Sequence, residues 1–569
     1  MEKKPANLTY GVNESPGLPA LLILGVQHIF LLSVAFIVPV IIVDAIGGTP
    51  EQAQNLITMA MIATGLATIL QGLNSGPVGS GYLCPLLNGP AFLSASLLAG
   101  HAGGLPLIFG MTAVGGIFEG FLSRVIPKMR AIFPSEVTGT IVMMVGIEVI
   151  PLGVTKFLGV DKFHHSPYSS AAIVGMITLC AMTGFNVWGK GELRLYSVLI
   201  GLLCGYCVAF FAGVLTSEHL GQFINAPFFK LPPFGQSGIS FNIELLIPFI
   251  IAALSSTLKT MGDLTTCQKI NNTEWKRPDM QSISRGVLAC SLGNLISGLC
   301  GALGQSVSSS NIGLSIATGA TSRKIAYSIG GILIFAAFFP KLTAIFVVMP
   351  TPLMGATLIF TASFMIISGI QIITSRLIDS RKTFLIGISV IFGLSVDLIP
   401  GLYKEVHPWF HPIFSSSLSL ATVCALILNL FFRIGISKSF HLELTPGVDS
   451  ADMIFTALEK QGALWGAMKD VMDHAGAVIN EFLESATRLE VTKENVNVKV
   501  SFDEFNLDVD ISYHGVPLSF PEKPPTEDEL LAGESGILKL SGFLMKQHAD
   551  SMKSYVKEGQ CFVHFHFEH

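Results

Sequence analysis

The chain has 569 residues, 50% of them hydrophobic and only 13% charged, with a mean hydropathy of +0.61 and a formal net charge of −5. A soluble globular chain averages about 25% charged residues, so a wholly soluble protein is excluded. No basic tract points to nucleic acid. The charge deficit lies upstream of about residue 437, so the chain reads as a polytopic α-helical membrane protein followed by a soluble tail.

The first residues, MEKKPANLTYGVNESPG, are polar and lack the form of a cleavable signal peptide, so the first apolar run is expected to stay. Fourteen spans are expected, at 18–43, 53–72, 82–97, 105–124, 136–154, 168–188, 194–215, 243–265, 283–303, 307–319, 324–348, 351–373, 382–400 and 413–434. An apolar run of roughly 20 residues crosses a hydrocarbon core about 30 Å thick. With these spans, eighteen Lys and Arg fall on one side and four (Lys156, Lys162, Lys230 and Lys404) on the other. The richer side is cytoplasmic by the positive-inside rule. Both termini are therefore expected inside a cell (inner) membrane. Lys341 falls within the eleventh span but follows Pro340, which would end that span early and place Lys341 outside.

Two spans depart from ordinary helices. Segment 74–95 reads NSGPVGSGYLCPLLNGPAFLSA and segment 301–319 reads GALGQSVSSSNIGLSIATG. Each is the third span of a seven-span half, 18–215 and 243–434. Paired broken spans at corresponding positions point to a midplane binding site in an inverted-repeat transporter. Loosened backbone at that depth must face protein or a water-filled cavity. Half-helix N-termini there present free N–H groups and a positive dipole.

The eighth span carries Lys259, with Asp263 one helical turn later. A lysine at mid-depth costs about 3 kcal/mol or more. Such a residue reads as a pathway, a binding site or a proton relay. A structural ion pair is the other reading, because the two stand i,i+4 on one helix face. The nine cysteines are scattered, and Cys204/Cys207 lie on a membrane helix with no companion His or Cys ligand, so they read as packing residues. No metal site and no cofactor motif are expected. His164-His165 and His564, His566 and His569 lie in loops or the tail. His564 and His566 share a strand face, which reads as an ordinary strand end.

These features resemble the nucleobase–ascorbate (uracil/xanthine) permeases over about residues 18–437. The resemblance rests on the span pattern, GVQH in the first helix, the Gly/Pro-rich third span, Met349–Gly355 and Ser310-Asn311-x-Gly313-x-x-x-x-Thr318. It implies fourteen spans in two inverted seven-span repeats, a core domain holding the substrate, a gate domain used for dimerisation, and short strands in spans three and ten. It implies a secondary transporter of a small nucleobase-like molecule, coupled to a proton or sodium ion and forming a homodimer in the bilayer. Ala91 and Phe92 match the pair that flanks the base, and an aromatic suits a flat heterocycle. His28, beside Gln27, matches a first-helix histidine with a proton-coupling or structural polar role. Asp263 matches a polar position of the eighth span. Asn311, Gly313 and Thr318 match the signature Asn, the close-approach glycine and the signature Thr.

Two departures stand out. Lys259 replaces the usual Glu of the eighth span, and Ser310 replaces the usual Glu or Gln of the tenth. A carboxylate accepts hydrogen bonds from ring N–H groups, and an ammonium accepts none. The substrate is therefore expected to be a small anion or acidic heterocycle, urate-like or a carboxylate, with Lys259 as counter-charge and Asn311 as a hydrogen-bond partner. A lysine neutralised by burial, exchanging a proton with Asp263, is also open.

Residues 440–569 alternate in short runs (NVNVKVSF, LDVDISY, CFVHFHFEH) with helical stretches at 451–490 and 536–555, an α+β domain. The tail weakly resembles a histidine-kinase-like ATPase of the anti-sigma-factor type. Glu481, Ala486, Gly515, Pro517 and Gly536 match, whereas Ser485 replaces the metal-holding Asn and Tyr513 the adenine-reading Asp. A degenerate regulatory, assembly or dimerisation module is expected. The leading function is thus a transporter. The alternatives are a small-anion transporter of the sulfate-permease type and a transporter-like sensor signalling through the tail. No ring of pore charges supports a channel, and no catalytic cluster supports an enzyme.

Overall fold

The computed structural model describes residues 5–6, 8–125, 132–160, 169–190, 193, 196–215, 221, 223–234, 238–273, 275, 278–374, 378–399, 401–403, 406, 413–414, 416–488, 491–492, 494–503, 506–518, 520–526 and 534–568. Outside them lie His164, His165, His569 and ten of the basic residues used to orient the loops: Lys3, Lys4, Lys128, Arg130, Lys162, Arg194, Lys276, Arg277, Arg376 and Lys404. The chain separates into two compact units, Met1–Asn429 and Leu430–His569. This division falls in the last turns of a helix, a little before the expected 437–440.

Among the described residues, eight helices are long and apolar enough to cross a membrane, or nine if one bent pair is a single span. In chain order the first unit runs α1 (Leu18–Ser33), α2 (Ile37–Ala45), α3 (Pro50–Gly72), β1 (Leu86–Asn88) and α4 (Leu93–Val125). It continues through α5 (Ser135–Glu148), α6 (Ile150–Phe157), α7 (Ser169–Trp188) and α8 (Ser197–Phe211). The second half has α9 (Leu246–Asn271), α10 (Met280–Cys300), β2 (Gln305–Val307), α11 (Ser309–Thr318), α12 (Arg323–Ala336), α13 (Pro340–Val347), α14 (Thr351–Ile373), α15 (Ser380–Leu398) and α16 (Ser417–Phe432).

Local sequence explains the breaks. Thr49 caps α3 in a reciprocal capping box with Gln52, and Pro50 occupies the first turn, where its missing N–H costs nothing. α4 joins the expected third and fourth spans and breaks at Gly103-Gly104, with Gly104 at φ +71°, a conformation glycine adopts freely. The eleventh span ends early, as Pro340 suggested. α12 stops at Ala336, and α13 leaves at 88°, because proline cannot continue a helix hydrogen-bond ladder.

The two broken spans meet. β1 and β2 pair antiparallel, with Leu86 opposite Val307, Leu87 opposite Ser306 and Asn88 opposite Gln305. The Gly89 N–H donates to Gly304 O at 2.9 Å and extends the pairing. A buried backbone that leaves its helix needs such partners. One set of helices, α1–α4 with α9–α13, packs around this strand pair, and α5–α8 with α14–α16 form a second set. Glycines set the closest crossings. A Cβ at Gly355 of α14 would sit 2.0 Å from Phe157 N, and one at Gly116 of α4 would sit 2.7 Å from Leu295 N.

The second unit is a five-stranded antiparallel sheet in the order β3-β4-β5-β7-β6. Its strands are β3 (Lys438–Leu444), β4 (Val496–Phe502), β5 (Asn506–His514), β6 (Ser551–Lys557) and β7 (Gln560–Glu568), and its helices are α17 (Ala451–Trp465), α18 (Lys469–Arg488) and α19 (Glu534–His548). Alternate residues of β4, β5 and β7 enter one apolar core with Val478, Ile479 and Phe482 of α18. Two helical expectations are corrected here. The stretch 451–490 is two helices, divided where Gly466 caps α17 at φ +71°. The stretch 549–555 is largely strand β6, because Glu558 and Gly559 both take positive φ and close a two-residue hairpin onto β7.

Candidate functional site

A cavity of about 130 Å³ lies between the two helix sets of the first unit. A dry apolar cavity near 150 Å³ holds one benzene, so this is the scale of a single small ring system. One wall comes from the α1–α2 turn, β1 (Leu87 and Asn88), Lys259 and Ser308–Ser310; the other comes from Val142, Val198 and Thr357–Ser368. The second wall is mainly apolar. Phe360 and Phe364 stand on it with ring centroids 5.0 Å apart.

Lys259 lies on the polar wall with a 14% exposed side chain, and its Nζ is 3.4 Å from Asp263 Oδ2. Nζ also donates to the carbonyl of Val307, the last residue of β2. Ser309 Oγ donates to the same Asp263 oxygen at 2.9 Å. The ion pair and the cavity-wall position thus coexist: an acid behind the ammonium holds it against β2. Ser310 lines the cavity directly.

The other candidates divide. Asn311 is buried at the start of α11; its Oδ1 lies 2.7 Å from His28 Nδ1, and its Nδ2 donates to Ser308 Oγ at 2.8 Å. His28 is fully buried, and its Nε2 has no hydrogen-bond partner among the described residues. Gln27 Oε1 is likewise buried and unpaired. Thr318 donates back to Leu314 O at 2.9 Å within its own helix. Ala91 and Phe92 are buried beside β1, with Phe92 1% exposed and absent from the cavity wall. Phe92 packs on Gly304, where a Cβ would meet its ring at 2.3 Å. At Gly313 a Cβ meets no heavy atom of the described residues within 4 Å. The close approaches belong to Gly304 and to Gly89, whose Cβ would sit 2.7 Å from Ser306 Oγ.

Residues 19–402 match the Xan_ur_permease model of the Permease family. The chain belongs to the xanthine/uracil permease family. A Clostridium perfringens protein with a provisional purine permease name is 30% identical over 435 residues, covering 76% of this permease and 95% of that protein. The xanthine permease XanP of Escherichia coli K12 is 26% identical, covering 75% and 95%. The uric acid permease PucJ of Bacillus subtilis is 27% identical, covering 74% and 94%. Among solved structures, the transmembrane domain of a cyanobacterium bicarbonate transporter, BicA, is 12% identical with a TM-score of 0.48, covering 74% of this permease and 99% of that chain. By its family and its apolar helices this permease is a multi-pass membrane transporter of a small molecule and not an enzyme.

Sequence reasoning missed two features of the permease site and one buried acid outside the cavity. Phe360 and Phe364 stand i,i+4 on α14 and carry no signal among 40 phenylalanines. Gly304 looks like any glycine of a broken span. Glu119 on α4 is fully buried, and Asn294 Nδ2 of α10 donates to its Oε2 at 2.7 Å.

In the tail, Tyr513 is 1% exposed and packs on Phe482 with ring centroids 5.0 Å apart. Burial pushes its hydroxyl above the usual tyrosine range, so it stays a donor, to Val516 O at 3.1 Å. Ser485 is bonded to Ser541 on α19. Truncating a buried aromatic costs about 3–5 kcal/mol. Tyr513→Ala should therefore destabilise the tail by that amount, read by denaturant unfolding followed at the tail's Trp465, which stacks on Phe502 of β4. On the outer sheet face, His566 Nδ1 is 2.7 Å from Asp508 Oδ1, and His564 Nδ1 is 2.8 Å from Asp510 Oδ1. Asp508, His564 and His566 are close enough together to hold a metal ion.

Proposed function

We propose that this permease is a secondary-active, proton-coupled transporter of acidic purine-type heterocycles. The single observation that supports this reading is Lys259 on the polar wall of a ring-sized cavity, where the family resemblance leads one to expect a carboxylate. The ammonium and the Ser308–Ser310 hydroxyls offer donors to an anionic or acceptor-rich ring edge. Phe360 and Phe364 offer aromatic surface to its faces. The names of the relatives, a xanthine permease and a uric acid permease, agree with a purine ring. The charge asymmetry of the loops supports cytoplasmic termini in the cell (inner) membrane. The permease resemblance supports a homodimer through the α5–α8 and α14–α16 set.

The test is uptake of labelled urate, xanthine and uracil by proteoliposomes with an inwardly directed proton gradient. Urate should accumulate fastest and compete best, and dissipating the gradient should abolish accumulation. Faster uptake of uracil, with urate a weak competitor, would contradict the reading.

A further inference from the structure

We propose that Glu119 carries the coupling proton and that Asn294 passes its charge state to the strand that lines the cavity. The inference rests on the reading of the chain as a proton-coupled permease, and it assigns the proton to a residue outside the cavity.

Glu119 stands on α4 between Gly116 and Gly120. A Cβ at Gly116 would sit 2.9 Å from Ser291 O, and one at Gly120 would sit 2.8 Å from Ser291 Oγ. The glycines let α4 and α10 approach closely enough for Asn294 to reach the carboxyl. The Asn294 amide then performs two tasks. Its Nδ2 donates to Glu119 Oε2 at 2.7 Å and to Gln305 O at 3.1 Å, and its Oδ1 accepts from Gln305 N at 2.6 Å. Asn294 thus pairs with both backbone groups of Gln305, the first residue of β2, as a neighbouring strand would, while holding the acid. At the other end of β2, three residues in all, Lys259 holds the Val307 carbonyl. Two ionisable groups therefore grip the two ends of the substrate strand.

Their environments differ. Asp263 has both a lysine and a serine donor, so its charge is matched. Glu119 has no ion-pair partner among the described residues, and its Oε1 has no hydrogen-bond partner there. A bare carboxylate oxygen in a membrane interior is expensive, whereas a carboxylic acid in the same place is neutral. The conformation with β2 gripped at both ends thus suits the protonated acid. Loss of the proton creates an unpaired charge whose strongest local answer is the Asn294 amide. Drawing that amide toward the carboxylate loosens its grip on Gln305 and, through β2, on Ser308–Ser310.

The charged and titratable neighbours are few. From α10 comes Cys290, and from α9 come Lys259 and Asp263 beyond it. Ser256 of α9 stands beside the acid. On α2 the one charged residue is Asp44, in the last turn, bonded to Lys156. Glu244 before α9 is exposed, and Arg285 belongs to the opposite end of α10.

The test compares wild type with Glu119→Gln, which keeps the shape and removes the proton site. In proteoliposomes the variant should exchange labelled substrate for preloaded substrate within about twofold of wild type. Its proton-driven accumulation should fall at least tenfold. Glu119→Asp should restore part of that accumulation. Equal proton-driven accumulation in wild type and Glu119→Gln would overturn the assignment. A second readout needs no cargo and no variant transport. Infrared spectroscopy of the purified full chain should show a protonated carboxyl band at neutral pH that Glu119→Gln lacks. Should the variant not fold, the absence of any such band in wild type still overturns the proposal. A wild type with the band but no purine exchange would sink the cargo reading and leave the protonated acid standing.

Discussion

Lys259→Ala is expected to raise the dissociation constant for urate by about 10- to 100-fold while changing that for uracil by less than about threefold. The size follows from the interaction lost. A hydrogen bond to a charged group contributes about 1.5–3 kcal/mol, and 1.4 kcal/mol is tenfold. Lys259 is placed to make this bond because Asp263 and the Val307 carbonyl hold its ammonium at the cavity wall. The same substitution strips Asp263 of its cation and leaves Ser309 as its donor. Removing one partner of a buried pair costs about 3–5 kcal/mol. A fall in thermal stability in detergent should therefore accompany the affinity change. Lys259→Gln separates the two effects, since it restores a neutral donor without the charge. It should recover part of the stability and little of the urate affinity. A variant whose stability falls while its urate affinity holds would leave Lys259 with a structural role alone.

Gly304→Ala should lower the melting temperature of the purified protein and cut uptake to below about a tenth of wild type. The added carbon would sit 2.3 Å from Phe92 Cγ and 2.5 and 2.7 Å from the ring's two Cδ atoms. These atoms lie at the root of a buried ring, so no flexible tip can swing away. Overpacking of this kind costs about 1–3 kcal/mol. Gly304 also accepts from Gly89 N, and Gln305 follows it directly. A shift there reaches both the strand pairing and the cavity wall. Gly313→Ala is the contrasting case. Its Cβ meets nothing within 4 Å, and the residue lies inside α11, where alanine is the better helix former by roughly 1 kcal/mol. It should fold as well as wild type and keep its uptake. The opposite pattern, with Gly304→Ala active and Gly313→Ala dead, would move the close approach to Gly313.

The legible parts of this protein are those where local chemistry conflicts with a membrane span. Gly, Pro and Ser cannot be hidden in an apolar run without reason, so the two broken spans could be read from residues 74–95 and 301–319, whereas their strands came from the family resemblance. Lys259 was legible through its cost. Pro340 marked the bend between α12 and α13. What escaped depends on partners that the fold brings together. Glu119 sits near the end of the expected span 105–124, and nothing in its local sequence singles it out. Only Asn294, 175 residues away, shows that it is buried. The ring that makes Gly304 intolerant comes from the other half of the chain. The permease resemblance put Phe92 beside the base; its ring packs on Gly304 just before β2, while Phe360 and Phe364 line the cavity. In the tail, β6 follows a helix with little apolar alternation, because it is an edge strand whose side chains are largely exposed. Its turn, Glu558-Gly559, was its one local signal.

The central claim is that Lys259 selects an acidic ring. Equilibrium binding of labelled urate and labelled uracil to purified wild type and Lys259→Ala tests it most directly. The account predicts tighter urate than uracil binding in wild type, with that preference collapsing in the variant. Strong uracil binding that survives Lys259→Ala, with urate bound no better in either protein, would contradict it.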